Sequence, residues 1–91
     1  MNQDILIRLE KAAEKMVLQI PASLDSSEFT SLFNEKFAEL IVRECMEQVR
    51  GEYVPVLEDT EMMKDTHWDG YVQCGVDSYV AIREHFFGEE E

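Results

Sequence analysis

The sequence predicts an all-α domain of three helices, with one long central helix and an irregular acidic loop ahead of the last. Three observations predict it. Apolar residues recur at spacings of three and four in three separate stretches. Asn2 and Asp25 stand where N-caps belong, ahead of the first two stretches. Pro21, Gly51 and Gly88 stand where each stretch stops. The chain has 91 residues, enough for one domain, 1–91, with a thin core. Folds of this size often add a disulfide, a metal or an oligomer interface, and we expect an oligomer.

The first helix is predicted from about residue 3 to 19. Asp4 complements the positive end of its dipole, and Ile5, Leu9, Ala12, Ala13, Met16 and Ile20 share one face. Arg8, Lys11, Glu14 and Lys15 lie mostly on the other. Pro21 closes it, because the residue before a proline avoids the helical region.

The second is predicted over 26–50. Asp25 with Glu28 three positions on forms a capping box. Phe29, Leu32, Phe33, Phe37, Leu40, Ile41, Cys45 and Val49 make its stripe, and Gly51 is the expected stop. Such a helix would be about 37 Å long, too long for two shorter partners to cover. Part of its apolar face is therefore expected against another chain. Residues 52–57 are read as a loop, since Pro55 limits any strand there to a sheet edge.

The third is predicted over 68–87, with Asp69 or Thr66 as its cap. Trp68, Val72, Gly75, Tyr79, Ile82 and Phe86 alternate steps of four and three, with Val76 and Val80 beside them. Gly75 costs helix stability, but within the seam it would admit another helix closely. The three glutamates after Gly88 are expected to fray.

Charge narrows the function classes. Twenty acids against eight bases give a net charge of −12, which disfavours direct contact with nucleic acid or an anionic membrane. Residues 1–50 carry nine acids and six bases, whereas residues 51–91 carry eleven acids and two bases, Lys64 and Arg83. The negative field belongs to the C-terminal half. No apolar run approaches the roughly 18 residues of a membrane span. Without a secretory segment, Cys45 and Cys74 read as free, mostly buried thiols of a reducing compartment.

Most of the chemical options are poor. Asp65, His67 and Asp69 would point one way from an extended loop and are the one divalent-metal candidate, but they lack the spacing of a zinc or calcium motif. Both thiols fall on apolar stripes, so a nucleophilic cysteine served by His67 or His85 is disfavoured. Scattered glycines make no phosphate cradle, no cofactor is implied, and the chain is not read as an enzyme. Arg43, Arg50 and Tyr53 are the best set for a small nucleotide, cations for phosphate and a ring for the base. The remaining option is protein binding. Glu58, Asp59, Glu61, Asp65 and Asp69 supply charge, and Met62 and Met63 supply adaptable apolar contact. Glu58 to Met63 has no evident structural role, while Trp68 is expected to turn inward.

Two fragments carry a resemblance. FAELIVREC at Phe37–Cys45 and IREHFFG at Ile82–Gly88 resemble a pattern of small tailed-bacteriophage proteins, which carry an FAELIV-x-EC helix and end in I-x-x-HFG. They cover about a fifth of this chain, and Phe87 is an extra residue in the ending. That family has no assigned chemistry, so no functional residue carries over. The resemblance implies a setting, the cytoplasm of an infected bacterium. It also implies a role, an accessory protein that binds and inhibits a host protein or defence factor, sometimes by mimicking nucleic acid. Two alternatives remain: an oligomeric sponge for a cyclic-nucleotide signal at Arg43, Arg50 and Tyr53, and a metal-dependent enzyme at Asp65, His67 and Asp69.

Overall fold

A computed structural model describes residues 1–88. Within them every regular element is helical: α1 (Gln3–Leu18), α2 (Ser26–Leu57), a 3-10 turn (Met62–Lys64) and α3 (Thr66–Phe87). The chain divides into two compact units, Met1–Ile41 and Val42–Glu91, with α2 contributing to both. The three terminal glutamates, expected to fray, lie outside the described residues.

In the first unit, local sequence sets where the helices begin. The Asn2 Oδ1 accepts from the Asp4 N–H at 3.0 Å and the Ile5 N–H at 3.2 Å. Two backbone donors that a helix start leaves orphaned are thereby satisfied. Leu9, Ala13 and Val17 are buried on successive turns of α1. Val17, only 1% exposed, was not on the expected stripe, whereas Ile5, Ala12, Met16 and Ile20 are half-buried. The capping box at α2 forms in both directions. The Glu28 N–H donates to Asp25 Oδ1 at 2.8 Å, and the Asp25 N–H reaches Glu28 Oε1 at 3.5 Å. The Glu28 N–H, followed by the Glu28 side chain, holds the Asp25 carboxyl below its ordinary pKa. Further along, Phe29, Phe33 and Phe37 stack at 6.5 and 5.7 Å, each pair within 13° of parallel, and all three stay half-exposed.

The second unit is a helical hairpin. Arg43 near the start of its α2 portion meets Phe87, and Tyr53 near the end meets Gly75, so the two helices run antiparallel. Met46, Tyr53 and Val72 are its buried side chains. Three expectations need correction here.

First, α2 does not stop at Gly51, and residues 52–57 are not a loop. The helix continues to Leu57 through Pro55. A terminal glycine usually closes a helix in the left-handed region, yet Gly88 is the only described residue with positive φ. Pro55 sits in the last turn, where it removes one hydrogen bond to the Gly51 carbonyl. The Glu58 N–H still closes onto the Val54 carbonyl at 3.0 Å. Burial of Tyr53, 8% exposed, holds the segment helical. A Cβ at Gly51 would meet nothing within 4 Å. Gly51→Ala should therefore stabilise the protein by about 0.5–1 kcal/mol, read as a higher urea midpoint at unchanged slope.

Second, both cysteines are exposed, not buried. Cys45 precedes the buried Met46 and so points about 100° away from it around the helix. Cys74 follows the buried Val72 by two residues, about 200° around α3.

Third, Asp65 caps α3, in place of Asp69 or Thr66. Its backbone is extended, at φ −94° and ψ 125°, and its Oδ1 accepts from the His67 N–H at 2.9 Å. The seam is half-buried at Trp68, Gly75, Tyr79 and Ile82, but Phe86 is 59% exposed. Its neighbour Phe87 takes the inner place, under the Arg43 guanidinium at 4.7 Å from the ring centre. Gly88 ends α3 with φ 67°, a conformation that favours glycine.

Candidate functional site

The acidic connection from Glu58 to Asp69 is built from short caps. Asp59 Oδ1 accepts from the Glu61 N–H at 3.0 Å and the Met62 N–H at 3.1 Å, opening the 3-10 turn. The stretch from Glu58 to Met63 therefore has a structural role that its sequence did not announce. Lys64 Nζ reaches Glu61 Oε1 at 3.1 Å, with both side chains mostly in solvent. An exposed pair of this kind contributes about 0–1 kcal/mol. The 3-10 turn lies against α3. Glu58, Asp59, Glu61, Asp65 and Asp69 are all exposed, while Met62 and Met63 are half-buried. Four carboxylates thus lie in the connection and the fifth, Asp69, on the first turn of α3; two of the five are fixed by backbone N–H groups and one by a lysine. Glu58 and Asp69 have no polar side-chain partner among the described residues.

The three residues of the metal alternative do not converge. Thr66 onward is helical, so His67 and Asp69 stand about 200° apart around α3. The Asp65 carboxylate is engaged at the cap. Among the described residues no group of three His, Cys, Asp or Glu side chains is placed to hold a metal ion. His67 packs edge-on to Trp68 at 5.1 Å, and Trp68, half-buried, meets Tyr71 edge-on at 5.6 Å. Neither histidine is hydrogen-bonded to Cys74, whose carbonyl accepts from Ser78 Oγ at 2.8 Å.

The nucleotide set is dispersed as well. Arg43 and Arg50 stand seven residues apart on α2, roughly 10 Å along the axis. Arg43 lies over Phe87, Arg50 pairs with Glu47 at 3.9 Å, and Tyr53 is buried against Gly75.

Sequence reasoning did not find a cleft on the flank of the hairpin, with a volume of about 240 Å³. Val49, Glu52 and Tyr53 of α2 form one wall; Tyr71, Cys74, Gly75 and Ser78 of α3 form the other. The signal was present in α3, where small residues at 74, 75 and 78 follow a tyrosine at 71 on one side of the helix. Its counterpart on α2 is hidden, because Gly51 and Pro55 make residues 52–57 read as a loop. The Tyr71 hydroxyl donates weakly across the mouth, 3.4 Å from the Glu52 carbonyl and 3.5 Å from Glu52 Oε2.

The fold and site define a small helical protein with an acidic C-terminal half. Compared with known protein families, curated proteins and solved structures, the chain matches none of them. No described helix is long and apolar enough to cross a membrane.

Proposed function

We propose that this chain is a non-enzymatic accessory protein of a tailed bacteriophage, made in the cytoplasm of the infected bacterium. It docks its acidic half on a basic surface of a host protein or defence factor and inhibits it, occupying a surface suited to nucleic acid. One observation carries this reading: five exposed carboxylates, Glu58, Asp59, Glu61 and Asp65 in the connection and Asp69 on the first turn of α3, fall within twelve residues of a half that holds eleven acids and two bases. A field of that sign steers a basic partner and repels nucleic acid. Met62 and Met63, half-buried between the caps, supply the apolar contact such docking requires. The resemblance of FAELIVREC and IREHFFG to phage proteins supplies the setting. Self-association belongs to the same reading. The half-exposed stack of Phe29, Phe33 and Phe37 supports it, and sedimentation of the purified chain measures it.

The caps decide how this is tested. Alanine at Asp59 or Asp65 would remove a cap together with a charge. Asparagine keeps the cap and loses only the charge. A variant with Asp→Asn at 59, 65 and 69 and Glu→Gln at 58 and 61 should fold as the parent does. Its affinity for the host protein captured by the parent should fall roughly tenfold or more, with a flattened salt dependence. Unchanged affinity in the folded variant would exclude electrostatic docking through this connection. The sponge alternative gains nothing from the geometry, since Arg43 lies over Phe87, Tyr53 is buried against Gly75, and Arg50 is a full two turns from Arg43.

A further inference from the structure

We propose that the cleft between α2 and α3 is a receptor for one arginine side chain of the basic partner. The inference rests on the docking function above and locates its anchor. The cleft holds about 240 Å³, the scale of one long side chain, and its walls are mostly apolar. Gly75 sits at the floor with the Tyr53 ring packed against it, and Val49 lines the opposite side. An apolar slot alone would suit any aliphatic group. Here it carries one carboxylate, the exposed Glu52, within the half of the chain that is strongly negative.

Glu52 is available to a ligand. Among the described residues it has no cationic partner, and its contacts with the Tyr71 hydroxyl, at 3.4 and 3.5 Å, are long. Of the arginines on α2, Arg43 lies over Phe87 and Arg50 is directed to Glu47, 3.9 Å away, and neither reaches Glu52. A cation for Glu52 is therefore one supplied by a partner. A single carboxylate with apolar walls makes a poor metal site, because a divalent ion requires several oxygen or nitrogen ligands. It suits a side chain with a long hydrocarbon stem and a charged end, the stem lying along Val49 and Gly75. Guanidinium is favoured over ammonium for two reasons. Its planar fork matches a carboxylate, and its face stacks on an aromatic ring, which Tyr71 offers at 39% exposure.

The test uses the full chain, labelled with nitrogen-15, and the blocked peptide acetyl-Gly-Arg-Gly-amide, with lysine and citrulline counterparts. The arginine peptide should shift the amide signals of Glu52, Tyr71 and Gly75 saturably. The neutral citrulline peptide should not, and lysine should bind severalfold more weakly. Glu52→Gln should weaken arginine binding at least tenfold, and Ser78→Leu, which fills the cleft without changing charge, should do the same. Shifts that never saturate and spread over all acidic positions would overturn the site. Undiminished binding by Glu52→Gln would overturn it too, and lysine binding equal to arginine would overturn the guanidinium preference. The variant neutralised at 58, 59, 61, 65 and 69 separates the two proposals. It should retain the cleft signals even where docking on the host protein is lost.

Discussion

Gly75→Ala should destabilise this protein by about 1–3 kcal/mol, the range for forcing extra volume into a packed site. Helix propensity predicts the opposite, since alanine is favoured over glycine by about 1 kcal/mol within a helix. Contact geometry decides the sign. A Cβ built at Gly75 would lie 2.6 Å from Cδ2, 2.8 Å from Cβ and 2.9 Å from Cγ of Tyr53. A flexible side-chain tip could swing away, but Tyr53 Cβ is fixed to the α2 backbone, so the helices themselves must separate. Urea unfolding measures the loss, with Gly51→Ala as the opposite control, because its added methyl meets nothing within 4 Å. Combining Gly75→Ala with Tyr53→Ala should recover only part of the loss, because alanine removes the ring contacts at 2.6 and 2.9 Å but keeps the Cβ at 2.8 Å. If Gly75→Ala proved stabilising, the close helix approach at this position would be wrong.

Met46→Ala should cost about 2–5 kcal/mol, the range for emptying a buried long apolar side chain. Met46 is 3% exposed, and Tyr53 and Val72 are the other buried side chains of its unit. A protein of this size has roughly 5–14 kcal/mol of stability in total, and a core with few fully buried groups belongs at the low end. The variant should be partly unfolded at 37 °C by circular dichroism. Met46→Leu conserves volume and should stay within about 1.5 kcal/mol of the parent. A loss below 0.5 kcal/mol for the alanine variant, a magnitude ordinary for surface positions, would mean that Met46 is not a core residue.

What the sequence disclosed was local. Asn2 and the Asp25–Glu28 pair could be read as caps because their partners lie within three residues. Gly88 was legible as a stop, and its positive φ is a conformation few other residues accept. What it concealed depends on contacts across the hairpin. Gly51 and Pro55 read as a stop and a loop by propensity alone. The helix persists because Tyr53, between them, is buried against Gly75, twenty-two positions away. Gly75 was recognised as a point of close approach, but not that Tyr53 makes it. The seam spacing places Phe86 inward, but across the hairpin it is Phe87 that lies under Arg43. In the acidic connection, composition revealed the charge. It did not reveal that Asp59 and Asp65 hold backbone amides while Glu58 and Asp69 do not. The Glu52–Tyr71 cleft depends on the helix continuing past Gly51, which the local sequence does not announce.

Trp68, seated between His67 and Tyr71 at the start of α3, is the chain's only indole. Its emission therefore watches one place. Excitation at the red edge passes over the tyrosines and over the phenylalanine stack of the other unit, leaving a fluorophore whose surroundings change when the hairpin opens. Far-ultraviolet ellipticity, by contrast, sums over every helix. Melting the protein under both probes gives two curves, and their coincidence or separation tells whether the long shared helix makes the two units a single cooperative system.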